Sequence, residues 1–279
     1  MARSYLDFTI NLNDPRTVAV YDELPLWSAA FGLLLLQHLP LRPGLTVLDV
    51  GCGTGFPLLE LAERLGSSST VYGIDPWGGA LDRAREKARR WGARNVRFRR
   101  GDAASMPFGD GTFDLVVSNL GINNFDNPQK VLQECRRVLK RGGTLALTTN
   151  LQGHMKEFYS VFERTLREVN ACGALTALRK HIRHRATTSS LVTLLAEAGF
   201  RVSVIHRGRS AMRFGDGSAL LHHHFIKLGF LNGWKSVIDP NSRERVFSRL
   251  EKNLNRLARS RGELLLTIPT AYFEARKAG

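Results

Sequence analysis

The chain has 279 residues, of which 43% are hydrophobic and 23% are charged. This composition is typical of a globular protein and excludes a disordered or fibrous chain. No apolar run approaches the roughly 18 to 20 residues that a bilayer-spanning helix needs. The N-terminus also lacks the apolar segment and cleavage site of a secretory signal. We therefore expect a cytosolic protein without a membrane span.

The cysteines and histidines predict no metal site. The three cysteines, Cys52, Cys135 and Cys172, form no Cys-x-x-Cys pair, which argues against a disulfide framework and a thiolate zinc site. His222, His223 and His224 are consecutive, and neighbours on a helix diverge by about 100°, so they do not converge on one ion.

The first half of the chain alternates strand and helix patterns. A helix is predicted from Arg16 to Leu39, before the breaker Pro40 to Gly44. The strands that follow are predicted at residues 46–50, 70–74, 95–99, 113–118 and 144–149, and the helices at residues 57–66, 79–91 and 128–139. Strands joined by helical crossovers form a parallel sheet that is covered on both faces. The pattern predicts a doubly wound α/β domain.

After Asn150 the pattern becomes mainly helical. Helices are predicted at residues 155–170, 189–198, 218–234 and 242–261, and strands at residues 201–206 and 264–273. These helices are interpreted as additions over one edge of the sheet.

A glycine-rich loop follows the first predicted strand. Gly51, Gly53 and Gly55 alternate with Cys52 and Thr54, and glycine allows positive φ and close approach of a ligand to the backbone. A dinucleotide-binding fingerprint would need a third glycine at the position of Phe56. Asp49, just before the loop, would repel a diphosphate and attract an ammonium or sulfonium group. The loop therefore disfavours the alternative of a nucleotide-binding oxidoreductase.

An acid followed by Gly-x-Gly-x-Gly resembles the first motif of the class I S-adenosylmethionine-dependent methyltransferases. Further matches follow the next three strands, at Asp75, at Asp102-Ala103 and at Ser118-Asn119-Leu120. The phrases Asp110-Gly-Thr-Phe-Asp114 and Val138 to Gly143 are most similar to the small-molecule branch, which includes the ubiquinone and menaquinone C-methyltransferases. The resemblance covers about Val47 to Thr149.

This resemblance implies S-adenosylmethionine as the cofactor and a set of residues that bind it. In the family, the acid at Asp75 binds the two ribose hydroxyls, the Pro76-Trp77 position lies against adenine, and the Asp102-Ala103 position accepts from the adenine amino group. The Ser118-Asn119-Leu120 segment faces the methionine part. The complete set of expected cofactor-binding residues is Asp49, Gly51, Cys52, Gly53, Gly55, Asp75, Pro76, Trp77, Asp102, Ala103, Ser118, Asn119 and Leu120.

The implied fold is a doubly wound, mostly parallel seven-stranded sheet, the Rossmann-like methyltransferase fold, with added helices over the active-site edge. Three consecutive segments are expected. Residues 1–45 would form an N-terminal helical cap and residues 46–150 the cofactor-binding core. Residues 151–279 would supply helical lid elements and the last two strands, with a helical insertion at about 215–261.

Methyl transfer from a sulfonium depends chiefly on placement of the acceptor, and a base is needed only if the nucleophile must lose a proton. Candidates near the carboxyl ends of the strands are Tyr21, Asn123 and His154, of which His154 is expected to titrate near neutral pH. Ser-Asn-Leu-Gly departs from the Asn/Asp-Pro-Pro-Tyr motif of family members that methylate exocyclic amines. An oxygen or carbon atom of a small-molecule acceptor is therefore favoured.

The second half of the chain is basic. Residues 151–279 carry 22 Lys and Arg against 10 Asp and Glu, and the whole chain has a formal net charge of +15. Five cations recur at helical spacing and share one face, namely Arg245, Arg249, Lys252, Arg256 and Arg259. A solvated helix face is favoured because aromatic residues for base stacking are absent. An RNA-modifying methyltransferase or RNA-binding protein stays open as the alternative, and the oligomeric state is not predicted.

Overall fold

A computed structural model describes residues 5–23 and 26–277. Its centre is a seven-stranded sheet in the order β3-β2-β1-β4-β5-β7-β6. The strands are β1 (Thr46–Val50), β2 (Thr70–Asp75), β3 (Val96–Arg100), β4 (Phe113–Asn119), β5 (Leu139–Asn150), β6 (Phe200–Phe214) and β7 (Leu264–Lys277). Strands β1 to β5 pair in parallel and β7 pairs antiparallel with β5. This topology confirms the predicted fold class.

Helices precede, connect and follow these strands. Those before and among the first five strands are α1 (Pro15–Glu23), α2 (Leu26–His38), α3 (Leu58–Leu65), α4 (Gly78–Trp91) and α5 (Pro128–Val138). Those in the second half are α6 (Lys156–Glu168), α7 (Ala174–Arg183), α8 (Thr188–Glu197), α9 (Gly217–His222), α10 (His224–Ile226), α11 (Asn232–Ser236) and α12 (Arg243–Arg261). No single described helix is long and apolar enough to cross a membrane, and only α1 and α2 taken together, with a bend of 55° between them, meet the length and composition.

The order of the strands reverses direction at β1. The chain goes from β1 outward to β2 and β3, and then returns to the other side of β1 with β4 and β5. Val47, Leu48 and Val50 are fully buried, since β1 has neighbours on both sides and helices on both faces. In open α/β sheets the crevice beyond the carboxyl ends of the strands at this reversal is the ligand site. The loop after β1 occupies that position.

The chain divides into two compact units. The sheet unit comprises Leu12–Asn150, Thr187–Gly208 and Thr270–Gly279. The helical unit comprises Met1–Asn11, Leu151–Ala186 and Arg209–Pro269. The chain enters the helical unit more than once, so the units interleave along the sequence. The three consecutive segments expected from the sequence stay a prediction.

The helical unit is built around α12, which packs against α6 and α9. Phe247, Leu250 and Leu254 on α12 are fully buried, and the Asn253 amide donates to the Thr165 hydroxyl on α6 at 2.9 Å. The five cations predicted to share one face lie away from this buried stripe. Four of them are exposed and the fifth, Arg249, pairs with Glu168 at 2.8 Å. The amphipathic pattern predicted for this helix is confirmed.

Several element boundaries differ from the sequence prediction. The expected helix at residues 16–39 is two helices, and Leu24 and Pro25 between them lie outside the described residues. A proline within a helical pattern ends or bends the helix, so Pro25 was a signal that the prediction overlooked. Helix α7 was missed, and the helix expected at residues 218–234 is interrupted at His223, whose backbone is extended. Strands β6 and β7 extend beyond their predicted ends.

Gly73, in the middle of β2, lies under the glycine-rich loop. A Cβ at this position would lie 2.7 Å from Cys52 Sγ and 2.8 Å from Leu58 Cδ2. We expect Gly73→Ala to lower the free energy of unfolding by about 1 to 3 kcal/mol, the usual cost of overpacking a core. Urea denaturation followed by circular dichroism measures this change.

Gly173 supplies the control for that measurement. A Cβ at Gly173 meets no heavy atom within 4 Å among the described residues and its φ is −56°, so Gly173→Ala should leave stability nearly unchanged. Adding Cys52→Ala to Gly73→Ala removes the closest clash and should restore part of the loss. Equal stability of the Gly73 and Gly173 variants would contradict the packing described.

Candidate active site

The glycine-rich loop is attached to the end of β2 by backbone hydrogen bonds. The N–H groups of Gly51 and Cys52 donate to the Ile74 carbonyl at 2.9 and 3.3 Å. The Gly53 N–H donates to Asp75 Oδ2 at 2.9 Å. Because the turn follows β1 directly and bonds to the neighbouring strand, its backbone is held at the carboxyl edge of the sheet.

The three glycines have positive φ, and their surroundings differ. Gly51, Gly53 and Gly55 have φ values of 78°, 51° and 101°. A Cβ at Gly53 would meet no described heavy atom within 4 Å, whereas one at Gly55 would lie 3.2 Å from Ala84 Cβ. Gly53 therefore borders open space that a ligand can fill, and Gly55 permits close packing on α4. The Cys52 side chain is buried against Gly73, so only its backbone is available to a ligand.

Asp49 is a buried carboxyl group at the end of β1. The residue is 0% exposed, and neither carboxylate oxygen accepts a hydrogen bond of ordinary geometry among the described residues. Burial and the nearby Asp75 raise the pKa of Asp49 to about 8, against a weak lowering by the Leu58 backbone N–H. A buried carboxyl in this state is stabilised by a positive charge brought close to it. Its position fits a cationic ligand.

Asp75 ends β2 and faces the loop. Its Oδ1 accepts from the Trp77 N–H at 2.8 Å, while Oδ2 accepts from Gly53. Burial raises the pKa of Asp75, and these two backbone donors lower it. Each carboxylate oxygen has two lone pairs, so each can accept one more hydrogen bond. Two adjacent acceptors of this kind match the vicinal hydroxyls of a ribose.

Tyr21 and Trp77 form the side of the site nearest α1. The Trp77 Nε1–H donates to the Leu12 carbonyl at 2.8 Å, and the two rings meet edge to face with centroids 5.4 Å apart. Burial and the charge of Asp75 raise the pKa of Tyr21. Tyr21 is therefore a neutral hydroxyl near the expected ribose position, and its catalytic role stays a prediction.

Residues after β2 and β3 make fewer contacts. Pro76 is exposed, as is Asp102, whose Oδ1 accepts from the Ala104 N–H at 2.8 Å in a local turn. Ala103 is buried. Asp102 Oδ2 is the oxygen that this turn leaves for another donor. The expected contacts of Asp102, Ala103 and Pro76 with adenine stay predictions.

The segment after β4 is held tightly. The Ser118 hydroxyl donates to the Val50 carbonyl at 2.8 Å. The Asn119 amide donates to the Ser28 carbonyl at 3.1 Å and accepts from the Thr148 hydroxyl at 2.7 Å. Leu120 is buried with a φ of 66°, a conformation that costs energy for a residue with a Cβ and is found most often at functional sites.

Asn123 takes part in a polar network at the ends of β4 and β5. Its Nδ2 donates to Asn150 Oδ1 and its Oδ1 accepts from the Thr149 hydroxyl, each at 2.8 Å. These contacts orient the Asn150 amide, whose buried Nδ2 has no hydrogen-bond partner among the described residues. Asn123 thus positions neighbouring side chains, and its expected catalytic role stays a prediction.

His154 belongs to the helical unit. It is 3% exposed and its ring stacks on Phe230 with centroids 5.5 Å apart. Burial, with smaller contributions from Arg185 and His181, lowers the pKa of His154 to about 3. The expectation that it titrates near neutral pH is wrong, because desolvation disfavours the imidazolium. A catalytic role for this residue stays a prediction, and at neutral pH it would be that of an uncharged ring.

Several residues that shape the site were not found from the sequence. Gly121 follows β4, and a Cβ there would lie 2.3 Å from Ser118 Oγ and 2.8 Å from Phe125 Cζ. Asp22 on α1 bonds to Arg83 at 2.8 Å and to Lys87. Gly121 ends the Ser-Asn-Leu-Gly sequence, so the glycine itself was the available signal. Nothing local in the sequence pairs Asp22 with α4.

Comparison with known proteins identifies the family. A family described as a methyltransferase domain matches residues 41–199. The chain is 32% identical over 192 residues to a demethylmenaquinone methyltransferase of Listeria welshimeri, covering 64% of this chain and 81% of the relative. The chain belongs to the methyltransferase-domain family. It is a class I S-adenosylmethionine-dependent methyltransferase.

Solved structures show the same fold. A SAM dependent methyltransferase from Aquifex aeolicus aligns with a TM-score of 0.53 and 23% identity, over 69% of this methyltransferase and 91% of that chain. The YcgJ protein of Bacillus subtilis aligns with a TM-score of 0.58 and 18% identity, over 90% and 99%. At these identities the similarity concerns the fold alone.

The residues of the sheet unit fit S-adenosylmethionine. The orphaned carboxyl of Asp49 suits a ligand with cationic groups, the free lone pairs of Asp75 suit a diol, and the space beside Gly53 admits the ligand. Among residues 5–23 and 26–277, no group of three or more His, Cys, Asp or Glu side chains could hold a metal ion.

The raised pKa of Asp49 predicts a pH-dependent stability. The folded state binds the Asp49 proton more tightly than the unfolded chain, so its contribution is complete below pH 4 and is lost as the pH rises toward 8. Relative to Asp49→Asn, the wild-type free energy of unfolding should fall by about 3 to 5 kcal/mol between pH 4 and pH 9. Urea denaturation at several pH values measures the difference.

Asp126→Asn, at an exposed aspartate, is the control for nonspecific effects of charge removal. Its stability should follow the wild type across the pH range. Parallel curves for the wild type and Asp49→Asn would contradict the raised pKa.

Asp75→Asn should weaken S-adenosylhomocysteine binding. The substitution removes the negative charge and one acceptor oxygen, which is worth about 1.5 to 3 kcal/mol, or roughly 10- to 100-fold in Kd. Calorimetric titration measures Kd. Asp82→Asn, at an exposed carboxylate on α4 that pairs with Arg85, should leave Kd unchanged. An unchanged Kd for the Asp75 variant would remove this residue from the cofactor site.

Proposed function

We propose that this methyltransferase transfers a methyl group to an oxygen or carbon atom of a small-molecule acceptor. The observation that carries this proposal concerns Ser118 and Asn119, the last two residues of β4. The hydroxyl of Ser118 and both ends of the Asn119 amide are engaged by groups of the protein itself. The segment Ser118-Asn119-Leu120-Gly121 also lacks the Asn/Asp-Pro-Pro-Tyr sequence with which family members hold an exocyclic amine, so we infer an oxygen or carbon atom as the acceptor.

The relatives support the same class of acceptor. The Listeria proteins that match this chain are named demethylmenaquinone methyltransferases. We infer that the acceptor is a ring bearing hydroxyl groups, such as a phenol or a quinol. An ionised ring hydroxyl makes both its own oxygen and the adjacent ring carbon nucleophilic.

We propose that the residues of the sheet unit hold the cofactor as the family resemblance implies. Bound S-adenosylmethionine supplies a methyl group activated by its sulfonium. Asp49 would balance the positive charge of the ligand, Asp75 would bind the ribose hydroxyls, and Gly51 and Gly53 would let the ligand approach the loop backbone closely. Trp77, Asp102 and Ala103 would contact adenine.

The acceptor's proton needs a route away when a hydroxyl is the nucleophile. Burial leaves His154 a weak base, because its pKa is about 3. Tyr21, whose pKa is raised, is also protonated at neutral pH. We propose that this enzyme binds an acceptor that is already ionised, and that rate depends on placement more than on a general base.

The RNA alternative gains no specific support. The exposed arginines of α12 fit a solvated face, with Arg249 already paired to Glu168. The relatives named above act, by their names, on demethylmenaquinone. The expected location in the cytosol remains part of this proposal.

An acceptor assay tests the proposal. The protein is incubated with S-adenosylmethionine carrying a labelled methyl and either reduced naphthoquinones without a ring methyl, simple phenols, or total RNA. We expect label in the small molecules, since the site after β4 suits oxygen and carbon nucleophiles. Acetylation followed by mass spectrometry then counts the free hydroxyls, which distinguishes C-methyl products, which keep every hydroxyl, from O-methyl products, which lose one.

The Asp75→Asn variant is the control, and its rate at low cofactor concentration should fall roughly 10-fold or more. Label that enters RNA and not the small molecules would sink the proposal and support the alternative. Label on an aliphatic or aromatic amine in preference to every hydroxylated ring would overturn the acceptor class.

A further inference from the structure

The helical unit contains a group of polar side chains that have no role in the methyl transfer proposed above. The Tyr159 hydroxyl on α6 lies 3.3 Å from His181 Nε2 on α7. The Trp234 indole N–H donates to the same hydroxyl at 3.2 Å. Arg185, just after α7, interacts electrostatically with both Tyr159 and His181. We call Tyr159, His181 and Arg185 the Arg185 cluster.

Backbone contacts and packing hold this cluster in place. The Gln152 N–H donates to the Ala186 carbonyl at 2.9 Å, which ties the residue after Arg185 to the segment before α6. Helices α6 and α7 pack against each other. A Cβ at Gly233 would lie 2.8 Å from His181 Cε1, so the His181 ring is closely packed as well.

Access differs among the three members. Tyr159 is 6% exposed, whereas His181 and Arg185 are partly buried and keep some contact with solvent. A small solute can therefore approach the guanidinium and the imidazole from solvent, whereas the Tyr159 side chain is more deeply buried.

The charge of Arg185 is not balanced. Among residues 5–23 and 26–277, no carboxylate forms an ion pair or hydrogen bond with it, and burial lowers its pKa while the only opposing influence is Tyr159. A partly buried guanidinium without a counter-charge is costly. A bound anion would remove that cost.

Nearby arginines of the same unit show that carboxylates are available to pair with. Arg167 and Arg179 both pair with Glu163, at 3.2 and 3.6 Å. Arg164 and Arg249 pair with Glu168. Arg185 lies just after α7 and is more buried than these four arginines. Unlike them, it is surrounded by neutral or basic groups. The contrast indicates that its counter-charge comes from a ligand.

We propose that the Arg185 cluster binds the oxyanion of a small molecule, a carboxylate or a phosphate. The planar guanidinium of Arg185 presents paired N–H donors that match either group in bidentate fashion. His181 and the Tyr159 hydroxyl, which interact with it electrostatically, would supply further polar contacts to the anion. None of these three residues is among the expected cofactor-binding residues, and the proposal concerns binding of the anion alone.

The test is a titration of the full chain without cofactor at constant ionic strength. Benzoate and inorganic phosphate are the two anionic probes and benzamide is the uncharged probe. The indole ¹H–¹⁵N resonance of Trp234, assigned with Trp234→Phe, reports binding because this indole bonds to Tyr159. We expect saturable shifts with at least one anion and none with benzamide, and the anion that binds more tightly identifies carboxylate or phosphate as the ligand group.

Arg185→Gln is compared with Arg183→Gln, an exposed arginine two residues away. We expect Arg185→Gln to weaken anion binding about tenfold or more, as loss of a charged hydrogen bond does, and Arg183→Gln to leave it unchanged. Without anion, Arg185→Gln should also raise the thermal midpoint, since it removes an unbalanced charge. This second readout shows that the variant folds.

Absence of saturable binding by either anion to the wild type would overturn the proposal. Equal weakening in both variants would also overturn it, because that result indicates nonspecific attraction to a basic protein. The titration contains no S-adenosylmethionine, so its failure leaves the proposed acceptor class unaffected.

Discussion

The active site depends on one hydrogen bond, from the Gly53 N–H to the Asp75 carboxylate. It joins the turn after β1 to the end of β2, where the charge of Asp75 adds to burial in raising the pKa of Asp49. Two acids so near each other are unfavourable without a positive charge. A cationic ligand would relieve this cost, and the sulfonium of S-adenosylmethionine is such a cation in the site that we propose.

This arrangement needs small residues beneath and beside the loop. Gly73 leaves room for the Cys52 side chain, Gly121 lets the turn after β4 approach Val50, and Gly32 on α2 accommodates the ring of Phe56. Each glycine lies far in sequence from the residue it contacts. The tight packing keeps the loop backbone in its positive-φ conformation and so preserves the open space beside Gly53.

The helical unit, in contrast, has an excess of positive charge. Its arginines outnumber its acids, and four of those on α6, α7 and α12, namely Arg164, Arg167, Arg179 and Arg249, pair with Glu163 or Glu168. Arg185 is left with Tyr159, His181 and His154 as electrostatic neighbours. One unit thus has a buried carboxyl group whose ionised form a cation would stabilise, and the other has a partly buried guanidinium for which we propose a bound anion.

The local sequence determined the alternating elements, the glycine-rich loop and the acids at the strand ends, because strand periodicity, glycine conformation and charge are properties of short segments. Tertiary structure alone decided the rest. Burial made His154 a neutral ring, strand pairing extended β6 and β7 through segments with little apolar character, and packing engaged Ser118, Asn119 and Asn123 in contacts with the protein itself. Desolvation and hydrogen-bond partners depend on residues distant in the chain, so no short pattern contains them.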